Sequence, residues 1–157
     1  MTDIVELVGA DRLEATLDHM VGALSGAGMK RLMTAIARRE AAENRKRIGA
    51  NVAPDGTPFA PRKTRRGKKR GGIRDRMFQK LKTAKWLKGR SFPDAAKVFF
   101  IGRAAGMAKV HHFGLRDKLA EHLKRRVQYT PRPLLGISPG DREMIENMVI
   151  DRITEAM

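Results

Sequence analysis

The spacing of apolar residues predicts two helices in the first third of the chain. Asp11 is a natural N-cap for the first helix, which runs to about Leu24, because its short side chain can accept hydrogen bonds from free first-turn amides. The apolar residues of this segment recur on one face, and they are Leu13, Leu17, Met20, Val21 and Leu24. The second helix is predicted from about Met29 to Ile48. Its far half is almost entirely polar, which fits a solvent-facing surface and a contact to another subunit equally well.

Glycines separate these two predicted helices. Gly22, Gly26 and Gly28 have a spacing reminiscent of a phosphate-binding loop, but no strand precedes them and no Gly-Lys-Ser/Thr follows them. We therefore interpret these glycines as a turn between two helices.

A connector rich in turn residues follows the second helix, which Gly49 is expected to end. Pro54, Asp55 and Gly56 predict a tight turn, because proline presets φ and glycine accepts a positive φ. Phe59 is the only large apolar residue of the connector, so we expect it to act as the anchor of this segment.

The middle of the chain predicts two short strands. They are expected at Thr83–Leu87 and Lys97–Ile101, with the turn residues of a hairpin at Gly89–Asp94 between them. Before the strands, Asp75–Leu81 is predicted as a short helical turn. Its inward residues are expected to be Met77, Phe78 and Leu81.

Less regular segments are predicted after the second strand. Gly102–Gly106 is a break of small residues. Lys109–Gly114 is a short apolar segment that ends at glycine, and we interpret it as extended. Leu115–Leu123 is amphipathic and predicts a helical turn.

The following stretch predicts a strand that stops at a rigid corner. Val127 and Tyr129 alternate with polar residues, which is typical of a half-buried strand. Pro131 and Pro133 cannot donate to a sheet ladder, so strand pairing should end at about Pro131. An apolar plug is expected immediately after the prolines, formed by Leu134, Leu135 and Ile137.

A last helix is predicted from Asp141 to Met157. Ser138 or Asp141 is its natural N-cap. Apolar residues recur at helical spacing along it, namely Met144, Ile145, Met148, Val149 and Ile153.

These elements predict a single α+β domain over residues 1–157. It has two N-terminal helices, a small, mainly antiparallel sheet with a long basic loop, and a C-terminal helix packed on the sheet. A chain of 157 residues can bury a core, and a hydrophobic content of 41% excludes wholesale disorder.

The charge of the chain is concentrated in its middle. The formal net charge is +16, and residues 62–90 hold 14 Lys and Arg against the single acid Asp75. The first 24 and the last 19 residues are both acidic. This distribution favours binding to polyanions or to acidic protein surfaces, and it makes such binding sensitive to salt.

Residues 62–76 carry the densest positive charge and are expected to contact a partner or DNA. Between Arg62 and Gly72 there are seven bases and no apolar side chain, so burial cannot offset the entropy of ordering. We therefore expect a mobile basic loop in the free protein. Its basic residues are Arg62, Lys63, Arg65, Arg66, Lys68, Lys69, Arg70, Arg74 and Arg76.

The chain is not predicted to be an enzyme or to hold a cofactor. It has no cysteine, which excludes disulfides and thiolate metal sites. His111 and His112 are the obvious candidates for a metal site or a general base, but adjacent side chains of an extended segment point to opposite faces. We therefore expect one ring packed inward and the other exposed. Serine-nucleophile, paired-carboxylate and Walker signatures are absent from the sequence.

The sequence also argues against secretion and membrane insertion. Its beginning has no basic segment followed by an apolar run, so no signal peptide is expected. Its longest strongly apolar run, Val98–Ile101, is far shorter than a membrane span. We expect a protein of the cytoplasm.

Nucleic-acid binding remains an alternative function for the basic segment. Residues 62–90 could grip phosphates, and Phe78, Trp86 and Phe92 lie near enough in sequence to stack on bases. No zinc-finger, helix-turn-helix or RNA-recognition signature accompanies the charge. A basic loop more often binds phosphates without sequence specificity, or binds an acidic protein surface, than makes base-specific contacts.

Three segments resemble the phage virion morphogenesis (tail completion) family of contractile-tailed bacteriophages. Pro54–Lys63, preceded by a helix that closes at Arg47-Ile48, is similar to the family's PDGTPWAPLK connector. Ala108–Leu115 is similar to its IARVHQFGL segment, and Arg132–Ser138, with Asp141 and a last helix, to its R.LLGLS..D ending. The matches occur in the family's order and cover the chain from about Arg47 onward.

Two features depart from this family pattern. Phe59 stands where the family usually has tryptophan, and the loop after Arg62 is unusually rich in arginine. The resemblance implies a structural role for the matching motif residues. They are Pro54, Asp55, Gly56, Phe59, His111, Phe113, Gly114, Arg132, Pro133, Leu134, Leu135 and Gly136.

The resemblance implies a structural protein of the virion neck that completes the tail and promotes head–tail joining. Such a protein is expected to form a homo-oligomeric ring, a hexamer, at the head-proximal end of the tail. Its expected partners are the tail tube or sheath, neck or connector proteins, and DNA that passes through the lumen. It would be made in the host cytoplasm and then become part of the virion.

Overall fold

The two N-terminal helices form where the apolar periodicity predicts them. The computed structural model describes residues 10–23, 25–62, 76–93, 95–118 and 125–155. Helix α1 spans Ala10–Ala23 and helix α2 spans Gly26–Ala50. The hydroxyl of Ser25 donates to the carbonyl of Gly22 at 3.3 Å in the connection between them. The predicted turn between two helices is confirmed.

A hairpin packs against α2. Strand β1 (Leu87–Ser91) pairs antiparallel with strand β2 (Ala96–Phe100). The second predicted strand is thus confirmed to within one residue, but the first prediction is wrong. Residues 83–86 form turns, in which the amide of Trp86 donates to the carbonyl of Thr83 at 3.0 Å, and the strand starts only at Leu87.

Helix α3 (Arg103–Phe113) occupies residues that the sequence predicted as a break and an extended segment. This prediction is wrong because Ala104 and Ala108, one helical turn apart, are buried and pack α3 against the core. Their small side chains carry too little hydrophobic signal to reveal a helix. The helix ends at Gly114, which adopts the left-handed conformation with φ +64°.

A second two-stranded sheet follows α3. Strand β3 (Arg116–Lys118) pairs antiparallel with strand β4 (Arg126–Gln128). β3 lies where a helical turn was predicted, so that prediction is wrong for residues 116–118; residues 119–123 lie outside the described residues. The corner strand is confirmed, and its pairing ends before Pro131 as expected.

Helix α4 (Pro139–Thr154) begins with a capping box. The amide of Asp141 donates to the hydroxyl of Ser138 at 3.1 Å, and the amide of Ser138 donates to the carboxylate of Asp141 at 2.8 Å. Ser138 is therefore the N-cap. α4 packs on α2 and α1, and the expected packing on a sheet is not what the described residues show.

The core lies between the C-terminal half of α2, β1, α3 and the corner after β4. The fold is α+β, as predicted, with two small antiparallel sheets instead of one. Of the expected apolar plug, Leu134 is 1% exposed but Ile137 is 60% exposed, so only part of that prediction is correct. The buried apolar cluster consists of Ile48, Ala53, Phe59, Met77, Leu81, Leu87, Ala104, Ala108 and Leu134.

Candidate interaction surface

Arg132 joins the corner after β4 to the connector after α2. Its side chain is buried, and Nε donates to the carbonyl of Ala60 at 2.7 Å. The two terminal nitrogens donate to the carbonyls of Pro61 at 3.1 Å and Thr130 at 3.2 Å. Because the guanidinium is engaged by three backbone carbonyls, Arg132 stabilises the corner and is not available as a ligand-binding cation.

His111 and His112 lie on the last turn of α3, and both are half-buried. The expectation of one inward and one exposed ring is therefore wrong, since consecutive side chains of a helix are not on opposite faces. The ring of His111 packs edge-on between Phe78 at 4.9 Å and Tyr129 at 4.8 Å. Nδ1 of His112 accepts a hydrogen bond from the amide of Leu134 at 3.2 Å.

Both histidines are shifted toward the neutral state. Burial lowers the pKa of His111, and the nearby charges of Arg132 and Arg62 lower it further. Burial alone lowers the pKa of His112. Neutral rings suit these positions, because a protonated His112 could not accept the hydrogen bond from Leu134.

Two polar residues of α2 hold the segment that leads into α4. One terminal nitrogen of Arg47 donates to Asp141 at 2.5 Å, and the other donates to the carbonyl of Gly136 at 2.7 Å. The amide of Gly136 donates to the side-chain carbonyl of Asn44 at 3.2 Å. Both partners of the Arg47–Asp141 pair are largely buried, so this ion pair belongs to the interior of the domain.

Glu40 lies one turn before Asn44 and is 5% exposed. Burial raises the pKa of its carboxyl, and Asp141 and Glu43 raise it further, while Arg47 acts in the opposite direction. One carboxyl oxygen of Glu40 is buried without a hydrogen-bond partner in the part of the chain that is described. This residue therefore costs stability when it is ionised.

Most of the motif residues shape the backbone. Oδ1 of Asp55 accepts from the amide and the hydroxyl of Thr57 at 2.9 and 2.6 Å, which confirms the predicted turn. Phe59 is buried, as expected of an anchor. A β-carbon on Gly136 would lie 2.6 Å from the ring of Pro54, so this position has no room for a side chain.

The remaining motif residues surround the end of α3. Gly114 is buried, and a β-carbon there would lie 2.6 Å from the ring of Pro131. Leu134 is buried and Leu135 is half-buried against the core cluster, whereas Pro133 is exposed. Phe113 is 62% exposed and lies outside the core.

A groove of about 1080 Å³ opens beside this corner. It lies between residues 76–81, α3 and β4, and its walls include the aromatic rings of Phe78, Trp86 and Tyr129. None of its described lining residues is acidic. Five of them are cationic, namely Arg62, Arg76, Lys80, Arg103 and Arg132.

One aromatic wall of this groove is covered by cations of the same chain. Nζ of Lys85 lies 5.0 Å from the ring centroid of Trp86, and the guanidinium carbon of Arg103 lies 5.6 Å from it. These cation–π contacts keep positive charge at the mouth of the groove and leave less of the indole for stacking. The groove thus combines an apolar interior with a positive rim.

The basic loop reaches this surface at both of its described ends. Arg62 and Arg76 are exposed and line the groove. The other basic residues proposed for the loop, and its proposed mobility, lie outside the described residues; they are Lys63, Arg65, Arg66, Lys68, Lys69, Arg70 and Arg74. The sequence pointed to the loop but missed the contribution of Arg103 and Tyr129, which only the packing of α3 beside β4 brings to the groove.

No arrangement typical of a metal centre or a membrane anchor occurs in the described ranges. Histidines and carboxylates do not come together there in a group of three or more that could hold a metal ion. No helix among the described residues is both long and apolar enough to cross a membrane.

Comparison with known proteins identifies the family. The phage virion morphogenesis family matches the chain over residues 8–154. Tail completion protein S of Escherichia phage P2 is 37% identical over 141 residues, an alignment that covers 88% of this chain and 93% of that protein. No solved structure matches the chain. Together with the connector and corner described above, these matches show that the chain belongs to the phage virion morphogenesis family.

Proposed function

We propose that this protein completes the tail of a phage particle as a structural, non-enzymatic component. The observation that carries this proposal is the 37% identity to tail completion protein S over 93% of that protein. Two aspects of the structure support it. The buried polar groups Arg132, Arg47, Asp141 and Asn44 are engaged in bonds that hold the domain together. The groove beside α3 has a positive rim suited to an acidic surface rather than a catalytic constellation.

Within the particle, we place the protein in the neck, at the head-proximal end of a contractile tail. There it would form a homo-oligomeric ring, a hexamer, between the tail tube or sheath and the neck or connector proteins. The basic surface would face an acidic neighbour or DNA passing through the lumen. Assembly would take place in the host cytoplasm before incorporation into the virion.

Deletion of the gene from the phage or prophage genome tests this function. We expect filled heads and tails to accumulate separately, and joined particles to return when the gene is supplied in trans. Electron microscopy of the lysate counts joined and unjoined structures. Normal joining without the protein would overturn the proposal, and so would its absence from the necks of mature particles.

The basic loop is expected to act in joining and not in folding. Replacing Arg65, Arg66, Lys68, Lys69 and Arg70 with Ser should change the free energy of unfolding by less than about 0.5 kcal/mol, as is usual for surface charges. Joined particles should decrease, most strongly at higher salt, because added ions screen the remaining attraction. A variant that melts several degrees lower but joins normally would show that the loop belongs to the fold.

Nucleic-acid binding is the second candidate function, and the positive rim of the groove favours it. Duplex DNA mixed with the purified protein at physiological salt provides the test. Tight binding whose affinity falls steeply with salt would support phosphate contacts. Assembly of the protein without DNA, together with weak DNA binding, would support the structural role.

A further inference from the structure

We propose that the basic groove receives helix α1 of a second copy of this chain. The proposal rests on the ring suggested under the proposed function, and it names the two surfaces that would meet. The groove comprises the cationic and aromatic residues beside α3 and β4 described above. The occupant would be the exposed apolar face of α1, which carries Leu17 and Val21.

Helix α1 leaves apolar surface uncovered within its own chain. Leu17 is 51% exposed and Val21 is 66% exposed. They lie four residues apart and therefore on one face of the helix. α1 already packs on α2 and α4, so this face is additional to the one that attaches it to the domain. An exposed face of this kind is typical of a helix that binds in a partner's groove.

The charges of the two surfaces are complementary. α1 carries three acids against one arginine, and of these acids Asp18 is exposed between Leu17 and Val21. The groove rim carries Arg76, Lys80 and Arg103, without an acidic residue among the described lining. Apolar side chains would pack on the apolar and aromatic lining of the groove, which includes Met77, Phe78 and Tyr129, while the carboxylates would meet the rim.

The two surfaces belong to different parts of the fold. Among the residues whose side chains the structure describes, none from α1, α2 or α4 lines the groove. A contact between α1 of one copy and the groove of the next is therefore heterologous, with different surfaces on the two sides. Such a contact leaves one groove and one α1 face unused in every dimer, so further copies add to it, and a ring forms when the rotation between neighbouring copies closes.

A helix fits this groove better than a nucleic acid does. Arg132 is committed to three carbonyls, and Trp86 is approached by Lys85 and Arg103 of the same chain. Arg132 is therefore not available to a phosphate backbone, and little of the indole surface is open for base stacking. The interior of the groove is instead apolar, as an amphipathic helix requires.

Two variants of the full chain and their mixture test the contact. The face variant carries Leu17→Ser and Val21→Ser, and the groove variant carries Arg76→Glu and Lys80→Glu. All four positions are exposed or at the groove rim, so both variants should fold, which circular dichroism and thermal melting check. Phe113→Ser and Lys88→Glu are the matched controls, because these exposed residues lie outside the groove and outside α1.

Light scattering and sedimentation across concentration measure assembly. We expect the parent and both controls to assemble, and each variant alone to self-associate at least about tenfold more weakly. An equimolar mixture of the variants should form dimers and nothing larger. The intact groove of the face variant binds the intact α1 of the groove variant, and the resulting dimer has no competent surface left.

Three results would overturn the contact: assembly of either variant like the parent, a mixture that stays monomeric, or a parent that stays monomeric at the highest attainable concentration. Particle joining is scored separately with each variant supplied in trans to the deletion phage. If the mixture forms dimers but joining is normal with both variants, the contact stands and the proposed role of the ring fails. If head–tail joining requires the gene but both variants assemble like the parent, the proposed function is supported and the contact between α1 and the groove is refuted.

Discussion

Replacing Arg132 with Met should destabilise the domain strongly, because the corner and the connector depend on one guanidinium. The side chain is 7% exposed and donates to the carbonyls of Ala60, Pro61 and Thr130. Methionine retains much of the packing volume but leaves these carbonyls without their donor.

The size of the effect follows from those three bonds. Hydrogen bonds from charged donors are worth about 1.5–3 kcal/mol each, and the contribution of the bond to the nearby Thr130 is expected to be the smallest. Burying the charge costs part of this gain. We therefore expect a loss of about 3–5 kcal/mol in the free energy of unfolding. Arg132→Lys, which retains the charge but not the planar fork, should lose about half as much.

Urea unfolding followed by circular dichroism measures this loss. A decrease of 3–5 kcal/mol corresponds to a melting temperature lower by roughly 6–20 °C for a chain of this size. Arg116→Met, at an exposed arginine of β3, is the control and should stay within about 0.5 kcal/mol of the parent. If Arg132→Met also unfolds within that range, the guanidinium does not hold the connector to the corner and the reasoning is refuted.

The remaining predictions concern buried titratable groups and one close backbone approach. Because the pKa of Glu40 is raised in the folded state, its contribution to stability is lost as pH rises above about 4.5. Glu40→Gln should therefore be more stable than the parent at pH 7 and differ little from it at pH 4, and urea unfolding that shows equal stability at pH 7 would contradict this. The pKa values of His111 and His112 are lowered, so their contribution is present at neutral pH and is lost as pH falls below about 6.5. Melting between pH 7.5 and 5 should show this loss, and replacing both histidines with Gln should flatten the profile; an unchanged slope would argue against it. Gly136→Ala, whose β-carbon would meet a proline ring, should lose about 1–3 kcal/mol, whereas Gly106→Ala, with open space around it, should be neutral or slightly stabilising in the same assay.

Features set by neighbouring residues could be predicted from the sequence. The spacing of apolar residues predicted both α1 and α2, because residues three and four positions apart lie on the same face of a helix. The turn at Asp55 and the N-cap of α4, which the sequence left open between Ser138 and Asp141, depend on bonds between residues two or three apart. Strand pairing could be predicted not to extend past Pro131, because proline lacks an amide hydrogen whatever the tertiary structure around it, and β4 ends at Gln128.

Features that depend on distant partners could not be predicted in this way. Helix α3 was missed because its buried residues are the small Ala104 and Ala108, which face a core assembled from other elements. β1 was misplaced because only Leu87 of that strand is buried, and its extended conformation depends on pairing with β2 and packing on α2.

The same division applies to the candidate interaction surface. The sequence by itself determined that positive charge accumulates in residues 62–90 and that α1 is acidic and amphipathic. Only the tertiary structure decided which cations are engaged: Arg132 and Arg47 are bound internally, while Arg76 and Lys80 remain at a groove mouth. The physical reason is that an arginine's role depends on the carbonyls and carboxylates brought to it by the fold, and for these residues some of those partners lie more than 70 positions away.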